Sequence, residues 1–479
     1  MKHSRRASAL ALCAAVISTL WSASTLHAQA EPASSLADTS PIRITVPATV
    51  NGYWYDGQVD VSLNLRVIAQ GDPFELWSNR TSYYKPIHTV WRSPGGDVAL
   101  PDGTMTDFTG LPGFIGVSVK NADGETIRFF KRNACLNGYG ERVAPDAPLR
   151  SPYPYSCPWN KFTRGSVMGV QQGWSTRLDL YGKPIRLAKG TYQASAYITK
   201  TYRDAFGISL ADARRDFTLV VGEGASCRGC REAAARPSGA SLSPAATEPT
   251  ETAAGAPSGP MPDLRSLPAF GIRVSRNGNF LQFSANVWNA GNSPLVIDGF
   301  RRPDEDIMDA YQYFLDADGN QVGYEQVGTM EWDGKDTHQH WHFRDFARYR
   351  LLNEDRTGAV RSRKEAFCLA NTDAVDYTVP GADWQPEGTD LYTSCGDHDS
   401  LSIREVLSSG SGDTYGQFRA GQSFDLRNLA NGVYFIAVEA NPVGNLVESS
   451  TTNNVALRKV TIGGEYGART VKVGGIPAP

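Results

Sequence analysis

Apolar and polar side chains alternate over short stretches along most of the chain, which is the pattern of half-buried β-strands. Residues 61–67 (VSLNLRV) and 281–287 (LQFSANV) are clear examples. Residues 113–119 and 126–130 flank Ala122-Asp123-Gly124, a turn sequence that predicts a β-hairpin. Helical periodicity is scarce, and Ser209–Arg215 is the one short candidate helix. The pattern therefore predicts an all-β fold.

Residues 223–262 interrupt this pattern, because Ala, Gly, Pro, Ser and Thr dominate there and large apolar side chains nearly vanish. Such a segment cannot bury a core and is predicted to be a flexible linker. It divides the chain into an N-terminal domain (31–222) and a second domain (263–463), with a tail at 464–479. In both domains a turn with Gly precedes a strand headed by Tyr192 or Tyr434, as in the tyrosine corner of β-sandwiches. Both domains are predicted to be β-sandwich-like.

The first 30 residues have the features of an export signal. Lys2, Arg5 and Arg6 give a positive start, residues 10–21 are mostly apolar, and Ala28-Gln29-Ala30 fits a cleavage site. We therefore expect a secreted protein, extracellular or periplasmic. The apolar run is too short for a membrane span, and no later stretch resembles one.

Charge and cysteine content narrow the expected partners and compartment. The formal net charge is −3, which gives no electrostatic reason to expect nucleic acid or an anionic membrane as a partner. Six cysteines follow the signal, and an exported protein permits disulfides. Their order favours pairing of neighbours, Cys135 with Cys157, Cys227 with Cys230 and Cys368 with Cys395, but other pairings remain open.

The candidate chemistry is concentrated in His338-Gln339-His340-Trp341-His342, which holds three of the seven histidines of the chain. On a strand, alternate side chains share a face, so the three imidazoles would project from one side. Three neutral imidazoles form a site for copper, zinc, iron or nickel. The alternative is a solvated strand that happens to be rich in histidine.

Further motifs follow in a fixed order. Residues 363–369 read RKEAFCL, and Asp413-Thr414-Tyr415-Gly416 follows them. Together with the histidine motif, with residues 345–352 (DFARYRLL) and with residues 448–455 (ESSTTNNV), they resemble the catalytic domain of the lysyl oxidase family. The resemblance covers about residues 263–463.

The resemblance implies a secreted copper-dependent amine oxidase that converts primary amines to aldehydes and releases ammonia and H2O2. His338, His340 and His342 match the copper ligands of the family. Lys364 and Tyr415 match the pair that forms its built-in cofactor, lysine tyrosylquinone. The implied partners are O2 and a primary amine or a lysine-containing peptide or protein, without a choice between them.

The resemblance also implies supporting residues. Cys368 and Cys395 match a family disulfide. A calcium site is expected from Asp263, the Leu264 carbonyl, Glu448, Asn453 and Asn454, weakened because Ser450 stands where relatives often carry Asp. Asp413 is a candidate catalytic base, although a role in orienting a turn around Tyr415 is the favoured interpretation.

Two questions stay open on the sequence. The alternative function is a non-catalytic secreted protein that binds copper or a cell surface, which would need neither Lys364 nor Tyr415. The N-terminal domain carries aromatic groups at 53–55 and 83–84 that would suit contact with cell wall or glycan. Aromatic groups of this kind are more often part of a core or an interface.

Overall fold

A computed structural model describes residues 40–476 except 182, 224–246, 256, 258, 335–338, 363–365, 387–390 and 420. The predicted export signal, Cys227, Cys230, His338 and Lys364 lie outside the described residues. From Ser40 onward the chain forms one compact unit. The expected all-β fold is confirmed, since strands dominate and the described residues contain only two short helices.

The N-terminal part is built from strands and both helices. In chain order its elements are β1 (Ile42–Thr45), β2 (Thr49–Tyr55), β3 (Gln58–Val61), β4 (Arg66–Ala69), β5 (Phe74–Asn79), β6 (His88–Ser93), β7 (Gly96–Ala99), β8 (Leu111–Lys120), β9 (Thr126–Cys135), β10 (Gly140–Arg142), β11 (Gly165–Val170), β12 (Trp174–Arg177), β13 (Asp179–Tyr181), β14 (Gly190–Ile198), α1 (Lys200–Phe206), α2 (Leu210–Ala213) and β15 (Arg214–Glu223).

These strands form three sheets, with the orders β1-β4-β12-β10, β11-β5-β6-β7 and β13-β9-β8-β14-β15-β2-β3. The predicted hairpin is confirmed as the antiparallel pair β8 and β9. The predicted helix at 209–215 is shorter, α2, and begins after Ser209, whose side chain accepts a hydrogen bond from the Asp212 amide. Helix α1 has no counterpart in the predictions.

The alternating segment 61–67 keeps its expected burial but not its expected strand. Leu63, Leu65 and Val67 are buried, whereas the strand breaks between β3 and β4. Asn64 has a φ of 46°, the left-handed region, which a continuous strand does not allow. Burial therefore followed the pattern, and the backbone turned where a small polar residue tolerated it.

The C-terminal part consists of β-strands alone among the described residues. They are β16 (Ala253–Ala254), β17 (Leu264–Ser266), β18 (Phe270–Val274), β19 (Phe280–Asn289), β20 (Leu295–Arg301), β21 (Ile307–Leu315), β22 (Gln321–Asp333), β23 (His340–Arg344), β24 (Ala347–Leu352), β25 (Gly358–Arg361), β26 (Ala366–Phe367), β27 (Asp373–Ala374), β28 (Ser402–Leu407), β29 (Ser411–Tyr415), β30 (Ser423–Asp425), β31 (Gly432–Ala440), β32 (Val455–Glu465) and β33 (Ala468–Val473).

Three sheets enclose the core of this part. Their orders are β26-β23-β22-β21-β20-β28, β17-β19-β29-β27 and β25-β24-β31-β32-β33. One cluster of buried side chains draws on all three sheets, including Phe283, Trp341, Phe367 and Ile436. Strand β19 lies deep in it and is buried on both faces from Phe283 to Asn289, unlike the half-buried strand that its alternation predicted.

The repeated tyrosine motif has the same geometry in both parts. The Tyr192 hydroxyl donates to the Ala188 carbonyl at 3.0 Å, and the Tyr434 hydroxyl donates to the Ala430 carbonyl at 2.8 Å. Each bond reaches four residues back and fixes the turn that leads into β14 or β31. These are tyrosine corners, as the motif predicted.

The two parts pack directly against each other. Phe162 is fully buried beside Leu267, Trp288 and Val375. The Arg164 amide donates to the Val375 carbonyl at 2.7 Å, and the Tyr377 amide donates to the Gly165 carbonyl at 3.1 Å. The predicted division into separate domains stays a prediction, but the described contacts join the N-terminal part to the segment around β27.

Two predicted boundary segments take part in sheets. Ala253–Ala254, inside the predicted linker, pairs with β22, and β33, inside the predicted tail, pairs along β32. Among the described residues, no helix has the length and apolar character that crossing a membrane requires.

Candidate metal and cofactor site

The histidine motif sits at the start of a buried strand. Strand β23 begins at His340 and pairs with the end of β22, so that His340 lies opposite Asp333 and His342 lies opposite Glu331. Trp341 points to the other face and is fully buried. Gln339 has a φ of 43°, so the regular strand does not extend through the whole motif. The shared face of the imidazoles therefore holds for His340 and His342.

The two described imidazoles converge on one point. Their Nε2 atoms are 2.9 Å apart, and their rings are nearly perpendicular, at 83°. Two nitrogen ligands about 2.0 Å from one metal ion and at right angles would be about 2.8 Å apart. The Asp333 carboxylate lies 3.8 Å from Nδ1 of His342, on the side of the ring where a carboxylate commonly orients a metal-bound imidazole. The donor set fits a nitrogen-bound transition metal.

Strand pairing brings the segment after Lys364, together with Tyr415, to this site. Strand β26, which directly follows residues 363–365, pairs with β23 so that Phe367 lies opposite Phe343. The Tyr415 ring packs edge-on against Phe367, with ring centroids 4.8 Å apart. Tyr415 therefore lies beside the segment that follows Lys364, and that segment lies beside the histidine strand.

The Tyr415 phenol is held by the backbone of the Cys368–Leu369 peptide. Its hydroxyl donates to the Cys368 carbonyl at 2.8 Å. On the other side of the same peptide group, the Leu369 amide donates to the Glu405 carboxylate at 2.9 Å. One peptide unit thus links the tyrosine to a buried acid.

Glu405 is a site residue that the sequence did not reveal. It is fully buried, its carboxylate lies within 4.8 Å of both sulfurs of the Cys368–Cys395 disulfide, and its Oε1 has no hydrogen-bond partner among the described residues. Burial raises the pKa of Glu405 well above its ordinary range, and the charge of Asp413 raises it further. Only its place on the same strand face as Ile403 and Leu407, two positions away on either side, hinted that it is buried.

Asp413 lies on the same strand and the same face as Tyr415, two residues earlier. It is buried and pairs with Val287 of β19. The favoured turn role is wrong in its geometry, because residues 411–415 form strand β29. Removal from water raises the pKa of the Tyr415 phenol well above its ordinary value, and the charges of Asp413 and Glu405 add to the effect.

The residues expected to bind calcium also meet. Asn453 donates to Asp263 at 2.9 Å, and Asn454 donates to Glu448 at 2.8 Å. The Leu264 amide donates to Glu448 at 2.8 Å. The amide oxygens of Asn453 and Asn454 are buried and have no hydrogen-bond partner among the described residues. These oxygens and two carboxylates fit a hard cation, at the point where the start of β17 meets the turn before β32.

Two of the cysteine pairings are present. Cys135 bonds to Cys157 in the N-terminal part, and Cys368 bonds to Cys395 beside the site. The second disulfide fixes the segment whose carbonyl accepts the Tyr415 hydrogen bond. Disulfides of this kind are typical of proteins in an oxidising compartment.

The fold and site define an all-β protein in which a histidine pair and a partly buried tyrosine are held around one disulfide-linked segment. Residues 319–472 match the family model described as lysyl oxidase. This stretch runs from the turn before β22 into β33 and is a lysyl oxidase domain, the type of domain found in copper-dependent amine oxidases. No curated protein matches the chain.

Proposed function

We propose that this protein is a secreted amine oxidase that converts primary amines to aldehydes with release of ammonia and H2O2. The proposal rests on one observation: strand pairing gathers the histidine pair, the segment after Lys364 and Tyr415 at one place. Those segments are far apart in sequence, and a protein that only bound copper would have no need to bring the tyrosine there.

His340 and His342, with His338, would hold copper, and Lys364 and Tyr415 would form lysine tyrosylquinone. When bound, copper supplies, together with O2, the redox chemistry that builds the quinone, and the quinone supplies the electron sink that protein side chains lack. The chain contributes position: Phe367 and the Cys368 carbonyl hold the Tyr415 ring, whose partly exposed surface leaves it accessible.

Asp413 is our candidate for the group that accepts the α-proton of the substrate. It shares a strand face with Tyr415 and is close enough to shift the pKa of the phenol. A substrate must then be a primary amine with a hydrogen on the α-carbon, since proton removal needs that hydrogen. Lysine side chains and simple diamines meet this condition, and tertiary amines do not.

The test combines metal content with peroxide release. Copper-loaded native protein should release H2O2 with a panel of primary amines and lysine peptides, and none with tertiary amines. His340→Ala should lose nearly all copper and all activity. His88→Ala is the matched control, because His88 is an exposed histidine of β6 that should affect neither. Full copper occupancy in His340→Ala, or peroxide from tertiary but not primary amines, would contradict the proposal.

We further propose a calcium ion at Asp263, Leu264, Glu448, Asn453 and Asn454. The support is the pair of unpartnered amide oxygens next to two carboxylates. Removal from water raises the pKa of Glu448. Export through the residue 1–30 signal, and contact of the N-terminal part with cell wall or glycan, also stay predictions.

A further inference from the structure

A cleft of about 490 Å³ lies where the N-terminal part meets the C-terminal part. Tyr83 and Arg164 line it from one side, and Trp288, Phe435 and Lys459 line it from the other. Sites for small molecules commonly have volumes of about 300–1,000 Å³. The cleft is therefore large enough for an organic ligand, and both parts of the chain contribute to its walls.

The lining is strongly cationic. It includes Arg164, Arg265, Arg356 and Lys459, and no aspartate or glutamate. Arg265 is neutralised by Asp263, whose carboxylate lies 2.7 Å from the guanidinium. In the part of the chain that the structure describes, the other three cations form no salt bridge. A chain with a net charge of −3 thus keeps three uncompensated positive charges around one cavity.

Arg164 brings a positive charge from the N-terminal part to the wall of the cleft. Its side chain is half-buried, and its guanidinium donates to the Thr81 carbonyl at 3.4 Å. An anion in the cleft would add a charge-assisted contact to this guanidinium.

Most of the remaining lining is apolar or aromatic, and Ser266 and Asn453 are its uncharged polar residues. Arg356 stacks over Phe435, 5.7 Å from its ring centroid, and Leu457 and Trp288 complete the apolar surface. A cleft with several cations and an apolar wall selects a ligand with an anionic group on a hydrophobic body. A simple inorganic ion would leave the wall unused.

We propose that this cleft binds a small organic anion, whose carboxylate or phosphate contacts Arg164, Arg356 and Lys459 and whose apolar body lies against Phe435. The site is separate from the histidine pair, and the cationic amines expected as substrates have the wrong charge for it. Its occupancy therefore does not depend on the proposed oxidase activity.

Calorimetric titration of the full-length protein with benzoate and phenyl phosphate, and with benzamide as a neutral analogue, tests this site. We expect saturable binding of at least one anion and at least about tenfold weaker binding of benzamide, as loss of one charge-assisted contact predicts. The tighter of the two anions identifies the preferred headgroup, and inorganic phosphate measures the headgroup alone.

Charge-removing variants locate the binding. Arg356→Gln and Lys459→Gln change exposed side chains, so the fold should be retained, and each should weaken the anion about tenfold. Lys472→Gln, an exposed lysine of β33, is the matched control and should bind as the native protein does. Equal affinity for benzamide, no saturable binding of any anion up to about 10 mM, or native affinity in both variants would overturn the proposal.

Discussion

At the scale of single residues, the Cys368–Leu369 peptide is the centre of the site. Its carbonyl holds the Tyr415 hydroxyl and its amide holds Glu405. The adjoining disulfide limits how far this peptide can move. The proposed oxidation and crosslinking of Tyr415 would need a fixed ring position, and these contacts provide it.

Removing the Tyr415 hydroxyl should separate copper binding from catalysis. Tyr415→Phe keeps the ring against Phe367 but leaves the Cys368 carbonyl without its donor, at a cost of about 1 kcal/mol in the free energy of unfolding. We expect bound copper, no reaction with phenylhydrazine and no peroxide release. Tyr434→Phe loses an equivalent hydroxyl-to-carbonyl bond and should stay active. Activity in Tyr415→Phe would exclude this residue as the cofactor precursor.

Glu405 should make stability depend on pH. Its folded pKa is raised above the unfolded value, so its favourable contribution is complete below the unfolded pKa and is lost as pH rises through the folded pKa. Glu405→Gln removes this loss. The variant should match the native protein near pH 4 and exceed it at pH 8 by more than about 1 kcal/mol in the free energy of unfolding. Glu325→Gln, an exposed change on β22, should show no such trend; an equal gain at both pH values would contradict the explanation.

At the scale of elements, short pairings carry the architecture of the site. Strand β26 has two residues, yet its pairing with β23 places the segment after Lys364 beside the histidines. Strand β29 is held between β19 and β27, which fixes Asp413 and Tyr415 on one face. The turn before β32 closes onto the start of β17 through Glu448.

Calcium should stabilise the contact between the turn before β32 and the start of β17. Added calcium should raise the melting temperature of metal-stripped protein, because it compensates the buried Glu448 carboxylate and engages the unpartnered amide oxygens of Asn453 and Asn454. Glu448→Gln should abolish most of the increase, and Glu354→Gln, an exposed acid, should leave it intact. Differential scanning calorimetry measures both. If added calcium leaves the melting temperature of the native protein unchanged, the calcium proposal is wrong.

At the scale of the whole molecule, a short hydrogen-bond network connects the N-terminal part to strand β29, which carries Tyr415. Asn160 donates to the buried Asp373 carboxylate at 3.3 Å, and Thr372 donates to the same carboxylate at 3.0 Å. The Thr372 hydroxyl also accepts a hydrogen bond from the Thr414 amide at 2.7 Å, next to Tyr415. This network connects the N-terminal part to β29 in four residues.

Breaking the first link should weaken both stability and cofactor formation. Asn160→Asp keeps the acceptor for the Phe162 amide but places a second carboxylate against Asp373, at a cost on the order of 2 kcal/mol. We expect a lower melting temperature and fewer phenylhydrazine-reactive sites per bound copper. Asn51→Ala, an exposed change on β2, is the control. A destabilised variant with the native number of phenylhydrazine-reactive sites per bound copper would mean that Asn160 supports the fold but not the position of Tyr415 on β29.

The local sequence pattern was enough to predict several features of the fold. Alternation predicted the β class and the β8–β9 hairpin, and the repeated Gly–Tyr motif predicted both tyrosine corners. These features depend on neighbours within a few residues, so sequence carries them directly. Motif order likewise indicated the lysyl oxidase domain, because its chemistry requires particular residue types in sequence.

Tertiary structure alone decided the rest. The burial of Glu405, the contact of Asn160 with Asp373 and the cationic cleft each join residues distant in sequence, which no local periodicity encodes. The break at Asn64 and the strand at residues 411–415 depend on what the neighbouring strands supply as partners. Sequence determined which side chains carry chemistry, and long-range packing determined which of them meet, because contact between distant segments exists only in the folded chain.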